Sequence, residues 1–197
     1  MNEFWDQRYA TAEYVYGKTP NLFYQQQLEQ LTPGTILFPA EGEGRNAVYA
    51  ATQGWKVTAF DSSAEGLKKA NRLAEEHHVS INYLLKSYDE VEFPENSFDC
   101  IVLVFAHMAE SKRSAIHKKL VSYLKPGGTL IMEAFSKEQI NFKSGGPRDI
   151  NALYSMEEMK SDFLELKINH LSQTVKELYE GSYHSGNASV IRLVAVK

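Results

Sequence analysis

Apolar residues along this chain follow two rhythms that alternate. Thr35 to Phe38, Trp55 to Asp61, Ile81 to Leu85, Cys100 to Ala106 and Thr129 to Phe135 are short runs of strand length, rich in β-branched and aromatic residues. Between them, Arg45 to Gln53, Ser63 to His78 and Lys112 to Leu124 repeat apolar residues every three or four places, the spacing of a helix with one buried face. The run from Cys100 to Ala106 is unbroken, as in a strand covered on both faces within a parallel sheet, and it is the expected centre of the fold. Ser136 to Tyr154 lacks periodicity and reads as a long loop, after which Ser155-Met-Glu-Glu158 is a capping box opening a short helix. Glu165 to Glu180 and Ala188 to Val196 alternate like strands, joined by Gly181-Ser-Tyr-His-Ser-Gly186, which predicts a closing hairpin. Near the start, Thr19-Pro20 predicts a helix with Thr19 as N-cap, its inner face formed by Leu22, Phe23, Leu28 and Leu31. The expectation is an α/β, three-layer, doubly wound, seven-stranded, mostly parallel sheet with an antiparallel C-terminal hairpin.

The candidate chemistry lies where the first strand ends. Pro39-Ala-Glu-Gly-Glu-Gly-Arg-Asn46 joins that strand to a helix through small residues. Gly42 and Gly44 permit backbone angles closed to other residues and remove side chains that would hold a ligand off, while the helix start offers free N–H groups. A plain strand-to-helix turn would look similar. The second strand, however, ends in Asp61, roughly 20 residues beyond the glycine turn, the separation expected for an acid that holds a ribose. Asp61 or Ser62 could instead cap the helix that follows.

Composition narrows the possibilities. The chain has 197 residues, 43% of them hydrophobic, enough for one domain with a substantial core. We expect a single domain: an N-terminal lid and helix over 1–34, a cofactor-binding core over 35–135, and an acceptor loop with the hairpin over 136–197. A net charge of −4 with scattered Lys and Arg gives no electrostatic footprint for nucleic acid. The only cysteine, Cys100, lies in an apolar run, and no apolar segment is long enough to cross a membrane. The start lacks a basic segment followed by an apolar one, so the expectation is a cytoplasmic protein with no membrane or nucleic-acid partner.

Five motifs in this order resemble the class I S-adenosylmethionine-dependent methyltransferases, whose fold is Rossmann-like: Trp5-Asp-Gln-Arg-Tyr9 with Tyr16-Gly-Lys-Thr-Pro-Asn21, Gly42-Glu-Gly-Arg-Asn46, Val57-Thr-Ala-Phe-Asp-Ser62, Pro94-Glu-Asn-Ser-Phe-Asp99, and Leu124-Lys-Pro-Gly-Gly128. Within that class the chain is similar to the small bacterial tellurite-resistance and thiopurine methyltransferase-like group, over nearly its whole length. The resemblance implies S-adenosylmethionine as cofactor, its methionine part on Ala40, Glu41, Gly42 and Gly44, its ribose on Asp61, and its adenine beside Ser62. Two positions depart from the family pattern. Phe38 stands where an acid is common, leaving Glu41 to reach the methionine ammonium. Ser87 stands where an acid commonly meets the adenine amino group, with Tyr88 or Asp89 as substitutes. Phe105, with Ala106 and His107, falls near the sulfonium, or is ordinary strand-end packing.

Methyl transfer from a sulfonium needs alignment of the acceptor above all. A base is needed only where the acceptor must lose a proton, and His107 and His184 are the candidates by titration range; either could equally be solvated or structural. His117 and His170 read as surface residues, and no metal site is expected. Trp5, Tyr9 and Tyr16 offer flat substrate walls, so Phe4 to Pro20 and the 136–154 loop, hinged at Gly145-Gly146, are expected to close over a small-molecule acceptor: a thiol, chalcogen oxyanion, amine or hydroxyl. The protein is expected to act as a monomer or homodimer. A nicotinamide dehydrogenase would share the glycine turn and Asp61 but want a third glycine where Ala47 stands; a non-catalytic S-adenosylmethionine-binding regulator is the other alternative.

Overall fold

The computed structural model describes residues 2–197. Its sheet has seven strands in the order β3-β2-β1-β4-β5-β7-β6. In chain order these are β1 (Thr35–Pro39), β2 (Lys56–Asp61), β3 (Asn82–Leu85), β4 (Phe98–Val104), β5 (Leu124–Phe135), β6 (Lys167–Tyr179) and β7 (Ser185–Val196). The first five run parallel; β7 is antiparallel to both β5 and β6. The helices are α1 (Asn2–Tyr9), α2 (Leu22–Leu28), α3 (Arg45–Thr52), α4 (Ala64–Glu76), α5 (Glu110–Tyr123) and α6 (Met156–Asp162).

Strand alternation divides the core between the two faces. From β1, Ile36 and Phe38 join Tyr24 and Ala47 on the side of α2 and α3, while Leu37 joins Ile101, Leu103 and Leu120 on the side of α5 and α6. Each such side chain, taken from water to full burial, contributes about 1.5–3 kcal/mol, so both faces must be covered for the parallel strands to be stable. Phe38 stands edge-on to the Tyr24 ring, 5.6 Å between centroids, which makes it a core residue and not part of the site.

Local chemistry sets the helix ends, with some differences from expectation. Ser63 caps α4 by accepting from the Gly66 N–H, and Ser155 with Glu158 forms the expected capping box of α6. The cap of α2 is Asn21, not Thr19: its Oδ1 accepts from the Tyr24 N–H, and α2 begins at Leu22, which is exposed rather than inward. Lys125 to Gly128 does not separate helix from strand. Leu124 pairs with Phe98 and Thr129 with Cys100, so these residues are an irregularity inside an extended β5. His117 is fully buried, with Nδ1 2.8 Å from Asp162 Oδ2, and is no surface residue. No helix among the described residues is long and apolar enough to cross a membrane.

Candidate functional site

The carboxyl ends of β1, β2 and β4 meet where the strand order changes direction, the position at which open α/β sheets bind ligands. Two of these exits are held in the left-handed backbone region at non-glycine residues, Ala40 after β1 and Phe105 after β4, both with φ of 51°. Such residues cost of order 1–3 kcal/mol and persist where the surroundings over-determine them.

The glycine turn is built against Asp61. Gly42 N–H donates to Asp61 Oδ2 at 3.0 Å and Ser63 N–H donates to Oδ1 at 2.8 Å, which fixes the carboxylate. Burial raises the Asp61 pKa, opposed by those same N–H donors. Tyr83, from β3, donates to the Gly42 carbonyl at 2.6 Å and braces the turn from the far side. Gly42 and Gly44 both have left-handed φ, and each lies against a neighbour: a Cβ on Gly42 would sit 2.6 Å from the Tyr9 hydroxyl, and one on Gly44 would sit 2.6 Å from the Ala70 Cβ of α4. The turn accepts no side chain at either place.

Glu41 points the other way from Asp61. Its Oε1 accepts from Asn46 N–H at 2.8 Å and Ala47 N–H at 2.7 Å, satisfying the open end of α3, and burial pushes its pKa up to about 7. Ser62 is partly buried next to Asp61. Ser87 is turned onto Glu90, bonded through both N–H and Oγ. Tyr88 stands edge-on to Phe60, and its hydroxyl is buried without a partner. A fixed carboxylate at the β2 exit, a turn stripped of side chains and an orphaned hydroxyl nearby together suit a ligand with a diol and hydrogen-bonding ring atoms, and this donor set fits S-adenosylmethionine.

Over the turn lies α1. Asp6 accepts from Ser63 Oγ at 2.6 Å and from Glu65 N–H at 3.2 Å, pinning α1 to the start of α4. Tyr9 is thereby buried between the turn and Trp5, whose ring stacks on it at 5.5 Å. Tyr16 follows, edge-on to Tyr9 at 6.4 Å and 4.5 Å from the His184 ring. His184, in the turn between β6 and β7, also meets Phe105 at 4.6 Å and Phe135 at 5.2 Å. The structure therefore brings Tyr9, Tyr16, Phe105 and His184 into one aromatic wall; Trp5 stands at its outer end.

The two candidate histidines differ sharply. His107 has both ring nitrogens engaged by backbone, Nδ1 2.8 Å from the Ala152 carbonyl and Nε2 3.2 Å from the Phe135 N–H. That pattern requires the neutral tautomer with Nδ1–H, and burial lowers its pKa to about 4. No lone pair is left to take a proton, so the geometry makes His107 a brace between strand end and loop and runs against the expectation of a base. His184 instead uses Nδ1 on Glu180 Oε2 at 3.4 Å, and among the described residues Nε2 is not claimed by a hydrogen bond. Burial lowers its pKa, opposed by Glu180.

Behind His184 lies a polar network that pattern reading did not find. Glu180 Oε2 also accepts from Arg45 at 2.8 Å, and its Oε1 accepts from Asn21 Nδ2 at 2.9 Å. The same Asn21 amide donates to Glu133 Oε1 at 2.7 Å, and the fully buried Glu133 is further held by Lys176 and Arg192. Charged residues inside strands β5 and β7 were the available signal, since such positions are buried only when paired.

A family model described as a methyltransferase domain matches residues 36–128. Among curated proteins, the chain is 28% identical over 135 residues to a ubiquinone biosynthesis O-methyltransferase of Rickettsia akari, covering 68% of this chain and 51% of that one. It is 23% identical over 153 residues to TehB of Haemophilus influenzae, described as a probable S-adenosyl-L-methionine-dependent methyltransferase, covering 76% and 52%. The chain thus spans about half the length of the curated relatives it matches. The crystal structure of TehB from the same organism superposes with a TM-score of 0.74 at 18% identity, over 100% of this chain and 66% of that one. A structure from work on conversion of a disulfide bond into a thioacetal group during echinomycin biosynthesis gives 0.80 at 17%, over 100% and 91%. The matched stretch runs from β1 into the irregular entry of β5 and contains both the glycine turn and Asp61, and by fold and sequence together the chain is similar to class I S-adenosylmethionine-dependent methyltransferases such as TehB.

Proposed function

We propose that the protein transfers the methyl group of S-adenosylmethionine to a small-molecule acceptor seated against Tyr16, Phe105 and His184. The observation that supports this most is the Asp61 carboxylate, fixed by Gly42 and Ser63 at the β2 exit beside a side-chain-free turn. Asp61 would take the ribose hydroxyls, Tyr88 and Ser62 would face the adenine, and Ala40, Glu41, Gly42 and Gly44 would hold the methionine part. Bound there, the cofactor supplies an activated methyl group.

The chain's own residues supply position and water exclusion. Phe105 is presented by its left-handed backbone, Tyr9 and Tyr16 close the side nearest the turn, and the lid and the 136–154 loop bound the acceptor. His184 is the candidate base. The O-methyltransferase relative supports a hydroxyl acceptor, while a thiol, a chalcogen oxyanion and an amine stay open beside it. Labelled S-adenosylmethionine with an acceptor panel tests the reading: transfer to a small molecule is expected, and cofactor binding without transfer to any acceptor class would favour the regulator.

A further inference from the structure

Within the reading just proposed, the arrangement of Glu180 implies a requirement of the acceptor. We propose that Glu180 is a positioning residue, which with Arg45 fixes His184 as the Nδ1–H tautomer so that Nε2 takes a proton from a neutral acceptor: a hydroxyl or thiol on a flat, apolar scaffold.

The geometry runs in one direction. Arg45 donates to Glu180 Oε2 at 2.8 Å and, through its other terminal nitrogen, to the Tyr16 carbonyl at 3.1 Å. Glu180 therefore stays ionised: burial pushes its pKa up, but His184 and Arg45 outweigh it and hold it well below the usual carboxylate range. An ionised carboxylate can only accept, so the His184 nitrogen facing it must carry the hydrogen, and the lone pair falls on Nε2. The 3.4 Å separation is long for such a bond, as acid–base contacts often are before substrate tightens them. Beside Nε2 the 136–154 loop makes a close backbone approach that only a glycine permits. Gly145, at φ of 122°, passes so close that a Cβ there would lie 3.4 Å from Nε2 and 2.7 Å from Cδ2.

The walls beside this nitrogen are Tyr16, Phe105 and Phe135, at 4.5–5.2 Å from the His184 ring, with Tyr183 beyond Tyr16. Flat apolar walls select a flat apolar ligand. The charged and titratable groups that bear on His184 are Glu180, Arg45, Arg8 and, across the Phe135 ring, His107. Burial first, and then Arg45 and Arg8, lower the His184 pKa against the opposing Glu180, which favours the neutral ring that can accept a proton. In the step itself the acceptor O–H or S–H bond breaks, its proton passes to Nε2, and the electron pair left on oxygen or sulfur forms the bond to the methyl carbon. The departing thioether keeps the pair of the broken carbon–sulfur bond, and the proton leaves His184 to water.

Glu180→Ala separates this from a structural role. It removes the carboxylate oxygen that His184 Nδ1 shares with Arg45, so nothing holds the hydrogen on Nδ1 and the ring takes the Nε2–H tautomer that free imidazole favours. Imidazole 15N spectra of the full-length protein, without any acceptor, should show Nδ1–H for His184 in the parent and Nε2–H in the variant. The same tautomer in both, or Nε2–H in the parent, overturns the proposal. In turnover, an aromatic thiol already ionised at neutral pH, 4-nitrothiophenol, should be methylated at nearly the parent rate, while an un-ionised phenol, 4-methylphenol, should lose about 100-fold or more. Equal losses for both probes, or transfer to tellurite with neither probe accepted, overturn it. S-adenosylhomocysteine affinity is expected unchanged in the variant; a parent that does not bind S-adenosylhomocysteine at all sinks the methyltransferase reading instead. His184→Gln, which removes the base outright, should reproduce the loss on the phenol.

Discussion

At the scale of single residues, Asp61 carries two loads at once. Its carboxylate satisfies the Gly42 and Ser63 N–H groups, and under the proposed function it also meets a ribose. Asp61→Ala leaves two buried donors unpaired at about 1–3 kcal/mol each and removes charge-assisted bonds to ligand of about 1.5–3 kcal/mol each. We therefore expect a measurable drop in denaturation midpoint together with at least tenfold weaker binding of S-adenosylhomocysteine by titration calorimetry. Parent-like affinity would reduce Asp61 to a turn support. Glu41 gives a pH signature. Burial lifts its pKa from 4.5 to about 7, so its protonated form favours the fold: that stability is complete below about 4.5 and is lost as pH rises through about 7. A cofactor ammonium beside it would favour the ionised form, so affinity should tighten as pH rises toward 7 and level off above, with proton release near pH 6. Calorimetry in buffers of different ionisation enthalpy measures that release directly; none at pH 6 would mean that Glu41 serves only the α3 terminus. That Asp61 and the glycine turn meet was legible because it follows from spacing along two adjacent βα units. Glu180 and Arg45 were not, because their meeting depends on how the terminal hairpin folds back over α3, which no local period encodes.

At the scale of elements, the sheet was readable strand by strand, while the segments that cover it were not. Buried parallel strands announce themselves as apolar runs. By contrast α1 is a polar and aromatic stretch whose helix is stabilised by docking, through Asp6 to the start of α4 and through Tyr9 to the glycine turn. The 136–154 loop hides two 3-10 turns, at Lys137–Asn141 and Ile150–Ala152, fixed by tertiary bonds such as that donated by His107 Nδ1–H to the Ala152 carbonyl. Sequence alone suggested that the N-terminal segment bounds only the acceptor. Tyr9 against Gly42 changes that expectation: deletion of residues 1–18 should weaken S-adenosylhomocysteine binding tenfold or more and abolish transfer, and affinity within a few fold of the parent would restore the acceptor-only lid. The contact of α3 with α4 is equally specific. Gly44→Ala would set a Cβ 2.6 Å from that of Ala70 at φ of 87°, so left-handed strain and overpacking together should cost about 2–4 kcal/mol in chemical denaturation.

For the whole molecule, the order of strands decides which ligand the glycine turn serves. A nicotinamide enzyme and a methyltransferase both place small residues after β1 and an acid after β2, so the turn alone does not separate them. What differs here is the rest of the chain. A third glycine is replaced by Ala47, buried against the sheet, and the sheet closes with β7 threaded antiparallel between β5 and β6. That hairpin puts Glu180 and His184 over the β4 exit, with Tyr16 and Phe105 packed on the His184 ring, so this exit is walled by aromatic residues of the N-terminal segment and the hairpin. Ligand linkage turns this into a measurement. A compound that binds only the folded chain at 100 times its Kd stabilises it by about 2.7 kcal/mol. For a chain of this size each kcal/mol raises the melting temperature by about 2–4 °C, so S-adenosylmethionine and S-adenosylhomocysteine should each shift it by roughly 5–10 °C. NAD at the same concentration should shift it by less than about 1 °C, because under the proposed function both ligands share the ribose contact at Asp61, while the remainder of NAD would have to fit against Tyr9 and the hairpin. A scan in which NAD stabilises the protein and S-adenosylmethionine does not would reverse the assignment of the turn, and with it every role given to His184.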